Sequence, residues 1–197
     1  MARTIAFDET QALDRAMLLF WEQGYEATTV RDLTTATGLS TSSLYNTFGD
    51  KRELFLAALQ HYRQDERRQF AGILSAPGPL RGTLAGLFAE LIETLVADDG
   101  LKGSFTLNAA IELGGRDPDV TALLRDHFDD LCDMLADRLS EARLWGELTG
   151  EVVRRHDPAD LARYILFGLY SMATMVKVYN DRARMDKMAE IILATLD

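Results

Sequence analysis

Apolar residues along this chain recur at intervals of three and four, the spacing that gathers them on one side of an α-helix, and no segment alternates with the period of a half-buried strand. Leu13, Met17, Phe20 and Trp21 make a first apolar face, which Gly24 is placed to end. A short helix is expected over about 29–36, with Thr29 as its cap, Asp32 in its first turn and Gly38 after its end. A second short helix, about 40–47, starts at the cap Ser40 and is anchored by Leu44 and Phe48. Asp50 and Glu53 open a longer helix that runs to about Leu74, where Pro77, Gly78 and Pro79 stop it. Further helical stretches fall at about 80–97, 104–113, 118–145, 158–179 and 184–196, and Asp117-Pro118 and Asp157-Pro158 each set a capping carboxylate before a proline at the first helical position. The pattern predicts an all-α fold. A three-helix unit in residues 1–50 is joined by a long helix to a bundle within 51–197.

The two short helices flank a turn at Gly38, which can take the positive φ of a tight reversal, and so read as a helix-turn-helix. Val30, Leu33, Leu39 and Leu44 fall where two crossed helices share an apolar seam, leaving Ser40, Thr41, Ser42, Ser43, Asn46 and Thr47 outward. Hydroxyl and amide side chains are mediocre in helix interiors. They suit a helix that approaches a groove closely and bonds to phosphates and base edges.

The stretch FWEQGYEATTVRDLTTATGLSTSSLYNTFGDKRELF, residues 20–55, resembles the TetR family of bacterial transcriptional regulators in the order, spacing and punctuation of its helices. The resemblance covers about a quarter of the chain by motif and the remainder by helix pattern only. It implies that Thr29, Arg31, Ser40, Thr41, Ser42, Ser43, Tyr45, Asn46 and Lys51 meet a near-palindromic double-stranded DNA operator. Lys51 also suits a phosphate on its own account, as a cation beside helix-end amides. Where family members often carry alanine this chain has Thr34, whose hydroxyl can bond back to the preceding turn, and where they often carry lysine it has Thr41.

Composition narrows the nature of that contact. The formal net charge is −10, and up to residue 55 the cations Arg3, Arg15, Arg31, Lys51 and Arg52 are outnumbered by carboxylates. Bulk attraction to nucleic acid or to an anionic membrane is excluded, and any DNA contact is local, with modest salt sensitivity. MARTIAFDET lacks the apolar core of a signal peptide, and no stretch offers about 20 uninterrupted apolar residues, so a cytoplasmic chain without a membrane partner is expected. One cysteine, Cys132, and three scattered histidines exclude an intrachain disulfide and give no metal-ligand spacing.

The second half carries candidate chemistry of another kind. In 158–179, Leu161, Ile165, Gly168, Met172 and Tyr179 form one stripe and Tyr164, Phe167, Ser171, Thr174 and Val178 another; two apolar faces imply burial on two sides. The first stripe is assigned to a homodimer interface, with Gly168 permitting close approach, as the resemblance implies dimerisation through the last two helices. Phe88, Leu91, Ile92, Phe105, Asn108, His127, Phe128, Leu131, Tyr164 and Phe167 are candidates to line a pocket for a small, mostly apolar effector. KGSFTLNAAIELGGRDPDV resembles a TetR subgroup responsive to electrophiles and oxidants, with Ser104 in place of its cysteine and hence no thiolate chemistry there. Cys132, amid Asp129, Asp130 and Asp133, reads as structural. Asp126, His127 and Asp130 share a helical turn, but a solvated acidic face accounts for them, and no nucleophile elbow, phosphate loop or zinc-protease motif is present. A regulator with neither enzymatic activity nor cofactor is expected. The alternative is a helical ligand- or metal-binding bundle without operator recognition.

Overall fold

The computed structural model describes residues 9–97 and 103–197, so Arg3 and Lys102 lie outside the described residues. The helices in chain order are α1 (Glu9–Gln23), α2 (Val30–Thr37), α3 (Thr41–Phe48), α4 (Lys51–Leu74), α5 (Leu80–Ala97), α6 (Phe105–Leu113), α7 (Pro118–Leu144), α8 (Glu151–Arg155), α9 (Pro158–Tyr179) and α10 (Arg182–Leu193), followed by a 3-10 turn at Ala194–Leu196. The fold is all-α, with an N-terminal helix-turn-helix and a C-terminal helical domain.

Local chemistry sets most of the boundaries. Reciprocal capping boxes start α2 (Thr29 with Asp32) and α4 (Asp50 with Glu53), each satisfying two otherwise orphaned amides. Gly38 takes φ 73° after α2, a left-handed conformation that strains any residue with a Cβ. Asp117 and Asp157 cap α7 and α9 ahead of their prolines. The five-residue α8 is not anticipated by the sequence pattern, being too short to show a period and lacking a side-chain cap. α10 begins at Arg182, two residues before the expected 184, because Asp181 accepts from the Arg184 N–H at 3.2 Å.

Two apolar cores organise the chain. The first joins Phe20, Leu33, Leu44, Leu54 and Phe55 to Phe105, Leu113, Val120 and Leu124, so α6 and the start of α7 close the underside of the helix-turn-helix unit from across the expected 50/51 division. The second packs α5, α7, α9 and α10 around Leu84, Phe88, Ile92, Leu135, Leu139, Ile165 and Met172.

The assignment of the α9 stripes is reversed by this packing. Leu161, Ile165 and Met172, expected at a dimer interface, are buried against the chain's own bundle. A Cβ on Gly168 would lie 2.5 Å from Ile192 Cδ1, so the close approach it permits is between α9 and α10 of one chain. The exposed stripe is the other one, with Tyr164, Phe167 and Val178; Tyr179 also remains exposed. Among the described residues α9 alone reaches the length and mean hydropathy, 1.2, of a membrane span; core burial on one face and an apolar stripe on the other account for that value.

Candidate nucleic-acid interface and ligand cavity

The outer face of α2 and α3 is built from short polar groups held by their own helix ends. Thr29 Oγ1 donates to Asp32 Oδ2 at 2.6 Å and accepts from the Asp32 N–H at 3.2 Å. Ser40 Oγ accepts from the Ser43 N–H at 3.2 Å and lies 3.0 Å from Ser43 Oγ. These three residues are largely committed to capping, whereas Thr41, Ser42 and Asn46, all exposed, make no side-chain hydrogen bond among the described residues. Leu33 and Leu44 are fully buried beneath this face, which fixes the crossing of the two helices. Thr34 Oγ1 donates to the Arg31 carbonyl at 2.8 Å, the backward bond expected of it. Arg31 and Tyr45 are exposed.

Lys51 and Arg52 open α4, and their environments separate them. Lys51 Nζ rests 4.4 Å from the centre of the Tyr25 ring, a cation–π contact that holds the ammonium beside the start of α4. Arg52 turns away and clamps the corner between α6 and α7, its Nε 2.7 Å from Asp117 Oδ2 and its Nη2 2.7 Å from Asp119 Oδ2. A second clamp comes from Glu112, near the end of α6, whose carboxylate accepts from the backbone N–H groups of Tyr25 at 2.8 Å and Glu26 at 2.7 Å. A Cβ on Gly24 would meet the same carboxylate at 3.0 Å. The α6–α7 corner therefore grips both the turn before α2 and the first turn of α4. These contacts span 65 to 87 residues of sequence, and no local pattern announces them.

The Arg52 guanidinium, with help from the Val120 and Asp119 amides, holds the Asp117 carboxyl down to about 2. Since that lies below the unfolded value of about 3.9, the clamp's contribution is fully present above about pH 4 and is lost as pH falls toward 2. Asp117→Asn, which retains a capping oxygen, should flatten the fall of melting temperature between pH 4 and pH 2 in a thermal unfolding series. An unchanged acid slope would remove Asp117 from the acid response.

A cavity of about 470 Å³ lies between α1, α4, α5, α7 and α9. Its walls include Trp21 of α1, Tyr62, Glu66 and Phe70 of α4, Leu91 of α5, Leu131 of α7 and Tyr170 of α9. Burial, with the Glu66 carboxylate as the next cause, pushes the Tyr62 and Tyr170 hydroxyls up. Ser104 caps α6 at the cavity edge, lying 2.8 Å from Thr106 Oγ1. Cys132 is buried, and that burial raises its thiol.

Of the ten expected pocket residues only Leu91 and Leu131 line this cavity. Phe88 and Ile92 face inward to the second core, and Phe105 belongs to the first. His127 stands behind the wall, its Nε2 3.0 Å from Glu66 Oε2. Asn108 Oδ1 accepts from Lys177 Nζ at 2.7 Å. Tyr164 and Phe167 point out of the bundle, while Phe128 is half-buried against both cores and with Phe167 borders a shallow depression of about 230 Å³. The helix that opens at Asp50 is expected from the sequence to border the pocket at His61, Tyr62 and further along, and α4 does supply Tyr62, Glu66 and Phe70, though not His61. The lining residues that sequence reasoning missed are chiefly Met17 and Trp21 of α1, for which the width of the first apolar face was the available signal.

Comparison with known proteins gives one consistent result. Residues 12–58 match the family described as bacterial regulatory proteins, tetR family, and residues 82–192 match the tetracyclin repressor-like C-terminal domain. The chain is 32% identical to the HTH-type transcriptional regulator YezE of Bacillus subtilis, over 100% of both chains. It is 28% identical to the HTH-type transcriptional repressor ComR of Escherichia coli, over 98% of this chain and 90% of that protein. Among solved structures, a cysteine mutant of the TetR family transcriptional regulator CifR, complexed with 26-bp operator DNA, superposes with a TM-score of 0.81 at 28% identity, over 99% of this chain and 100% of that one.

Proposed function

Since the chain belongs to the TetR family of bacterial regulatory proteins, we propose that it is a cytoplasmic, dimeric repressor that reads a near-palindromic operator and is released from it by a small effector in the α4–α9 cavity. The observation that carries this reading is the face of α3. Thr41, Ser42 and Asn46 present uncommitted polar groups outward while Leu44 anchors the helix, which suits insertion into a major groove. Tyr45 is exposed beside them, and Thr29, Ser40 and Ser43 shape the helix starts that approach the phosphates. Two-fold symmetry requires the two α3 helices to sit about 34–36 Å apart, or a multiple of that.

The dimer in this reading forms through the exposed apolar stripe of α9 together with Met188 and Ile191 of α10. The effector acts through α4, which carries Lys51 at one end and the cavity residues Tyr62 and Glu66 further along. A tilt of α4 is felt by the helix-turn-helix through the Arg52 and Glu112 clamps, and a ligand shifts the operator equilibrium only by its different affinity for the two arrangements. Ser104 supplies no thiol to react with electrophiles, so reversible binding, not covalent modification at that position, is the mode of release.

Selection from random DNA tests the reading. Enrichment of an inverted repeat protected by a dimer is expected, while enrichment of nothing would return the chain to a ligand-binding bundle without operator recognition. On the selected site Lys51→Ala should weaken all sequences about equally, whereas Ser42→Ala or Asn46→Ala should cost about 1–3 kcal/mol at particular base pairs and relax preference there. With Arg52 engaged by Asp117 and Asp119, Arg31 and Lys51 of two protomers neutralise roughly four phosphates, for a slope of log K against log salt of about −3.6. A slope near −10 would show that cations other than these carry the binding.

A further inference from the structure

We infer that the cavity takes an amphiphilic organic cation, an alkyl- or arylammonium with an apolar body, in preference to an anion or a neutral molecule of the same shape; this rests on the cavity being the effector site. Among the described lining residues the charged side chains are Asp65, Glu66 and Glu90, with no lysine or arginine. Their positions differ in kind. Asp65 is answered by Arg68 and, at 3.9 Å, by His61. Glu66 uses Oε2 to accept from His127 Nε2 at 3.0 Å and Thr106 Oγ1 at 3.4 Å, while its Oε1 receives no hydrogen bond from the described residues. Glu90 makes no side-chain hydrogen bond or ion pair among the described residues and sits at the exposed side. Lys177, which is packed against Gly103 with its Nζ donating to Asn108, lies outside the lining.

The rest of the wall suits the same ligand. Trp21, Tyr62, Phe70 and Tyr170 present aromatic surface, and the negative faces of such rings attract ammonium groups, more strongly where water is excluded. Glu66 is partly buried, and a carboxylate in such a setting gains more from a cationic partner at its open oxygen than a fully solvated one does. A cation supplies that pairing, whereas a neutral ligand covers Glu66 without answering it and an anion adds like-charge repulsion in a partly dry site. The volume of about 470 Å³ falls within the range of roughly 300–1,000 Å³ that holds small organic ligands. The mostly apolar effector expected from the sequence thus acquires a charge, because α4 turns Glu66 inward among the rings.

Calorimetric titration of the full-length protein with three probes of equal chain length tests this: decyltrimethylammonium, decan-1-ol and decane-1-sulfonate, each below its micelle concentration. Decyltrimethylammonium should bind at least tenfold more tightly than the alcohol, with the sulfonate weakest. Glu66→Gln keeps an oxygen to accept from His127 and should reduce the cation-to-alcohol affinity ratio about tenfold; Glu90→Gln, at the exposed side, should reduce it by less. Alcohol or sulfonate binding as tight as that of the cation, or a ratio unmoved in Glu66→Gln, overturns the ligand class and leaves the effector site standing. No heat from any of the three probes overturns the effector site itself.

Discussion

Phe167→Glu is expected to convert the protein to a monomer and to lower operator affinity by about 10²–10⁴-fold, the advantage that linking two binding modules confers. Phe167 is 60% exposed and Val178 71% exposed on the outer stripe of α9, next to Tyr164, and α10 adds Met188 and Ile191. Such a contiguous apolar face marks an interaction surface. A carboxylate there is solvated in the monomer, so folding is unaffected. In a dimer it would be desolvated among apolar side chains with no partner. Each protomer would still carry an intact α3, but a single half-site contact lacks the gain from its tethered twin. Sedimentation velocity and operator titration check the two consequences separately, and Val178→Glu should behave alike. A variant that remains dimeric with full operator affinity would move the interface away from α9.

Phe105→Ala is expected to lower stability by about 3–5 kcal/mol, the usual cost of emptying a buried phenylalanine site. For a chain of this size that corresponds to roughly 6–20 °C in melting temperature. The ring is 1% exposed and meets Phe55 at 5.7 Å and Tyr62 at 5.6 Å, both edge to face, with Trp21 at 6.4 Å. This aromatic cluster joins α1, α4 and α6, and so ties the helix-turn-helix unit to the larger bundle. Operator binding should therefore fall with and without effector, in proportion to the folded fraction. A variant of native stability with altered effector potency alone would return Phe105 to the pocket wall that its sequence position suggests. Thermal unfolding and operator titration on the same preparation decide between the two.

The helix-turn-helix was legible because its determinants are local. Thr29 with Asp32, Gly38, Ser40, and Asp50 with Glu53 each act within three or four residues, and the structure places all of them in the expected roles. The bundle was legible only as a set of helices. Periodicity reveals that α9 has two apolar stripes but says nothing of which one meets α7 and α10, and the stripe with Leu161, Ile165 and Met172 is the one that packs inside. The pocket suffered from the same ambiguity. An aromatic residue in a strongly apolar helix is compatible with core, cavity or surface, and Phe105, Phe128 and Phe167 came to occupy three different settings.

The sequence by itself determined where most helices start and stop, the all-α class and the outward polar face of α3, since capping and turn chemistry depend on residues close along the chain. Tertiary structure alone decided which face of α9 is free, that Glu66 and Trp21 share a cavity, that Arg52 serves a clamp while Lys51 rests on the Tyr25 ring, and that Glu112 reaches the turn before α2. Those outcomes depend on how helices far apart in sequence cross one another. A change of crossing that leaves every cap and every period intact would rearrange them all.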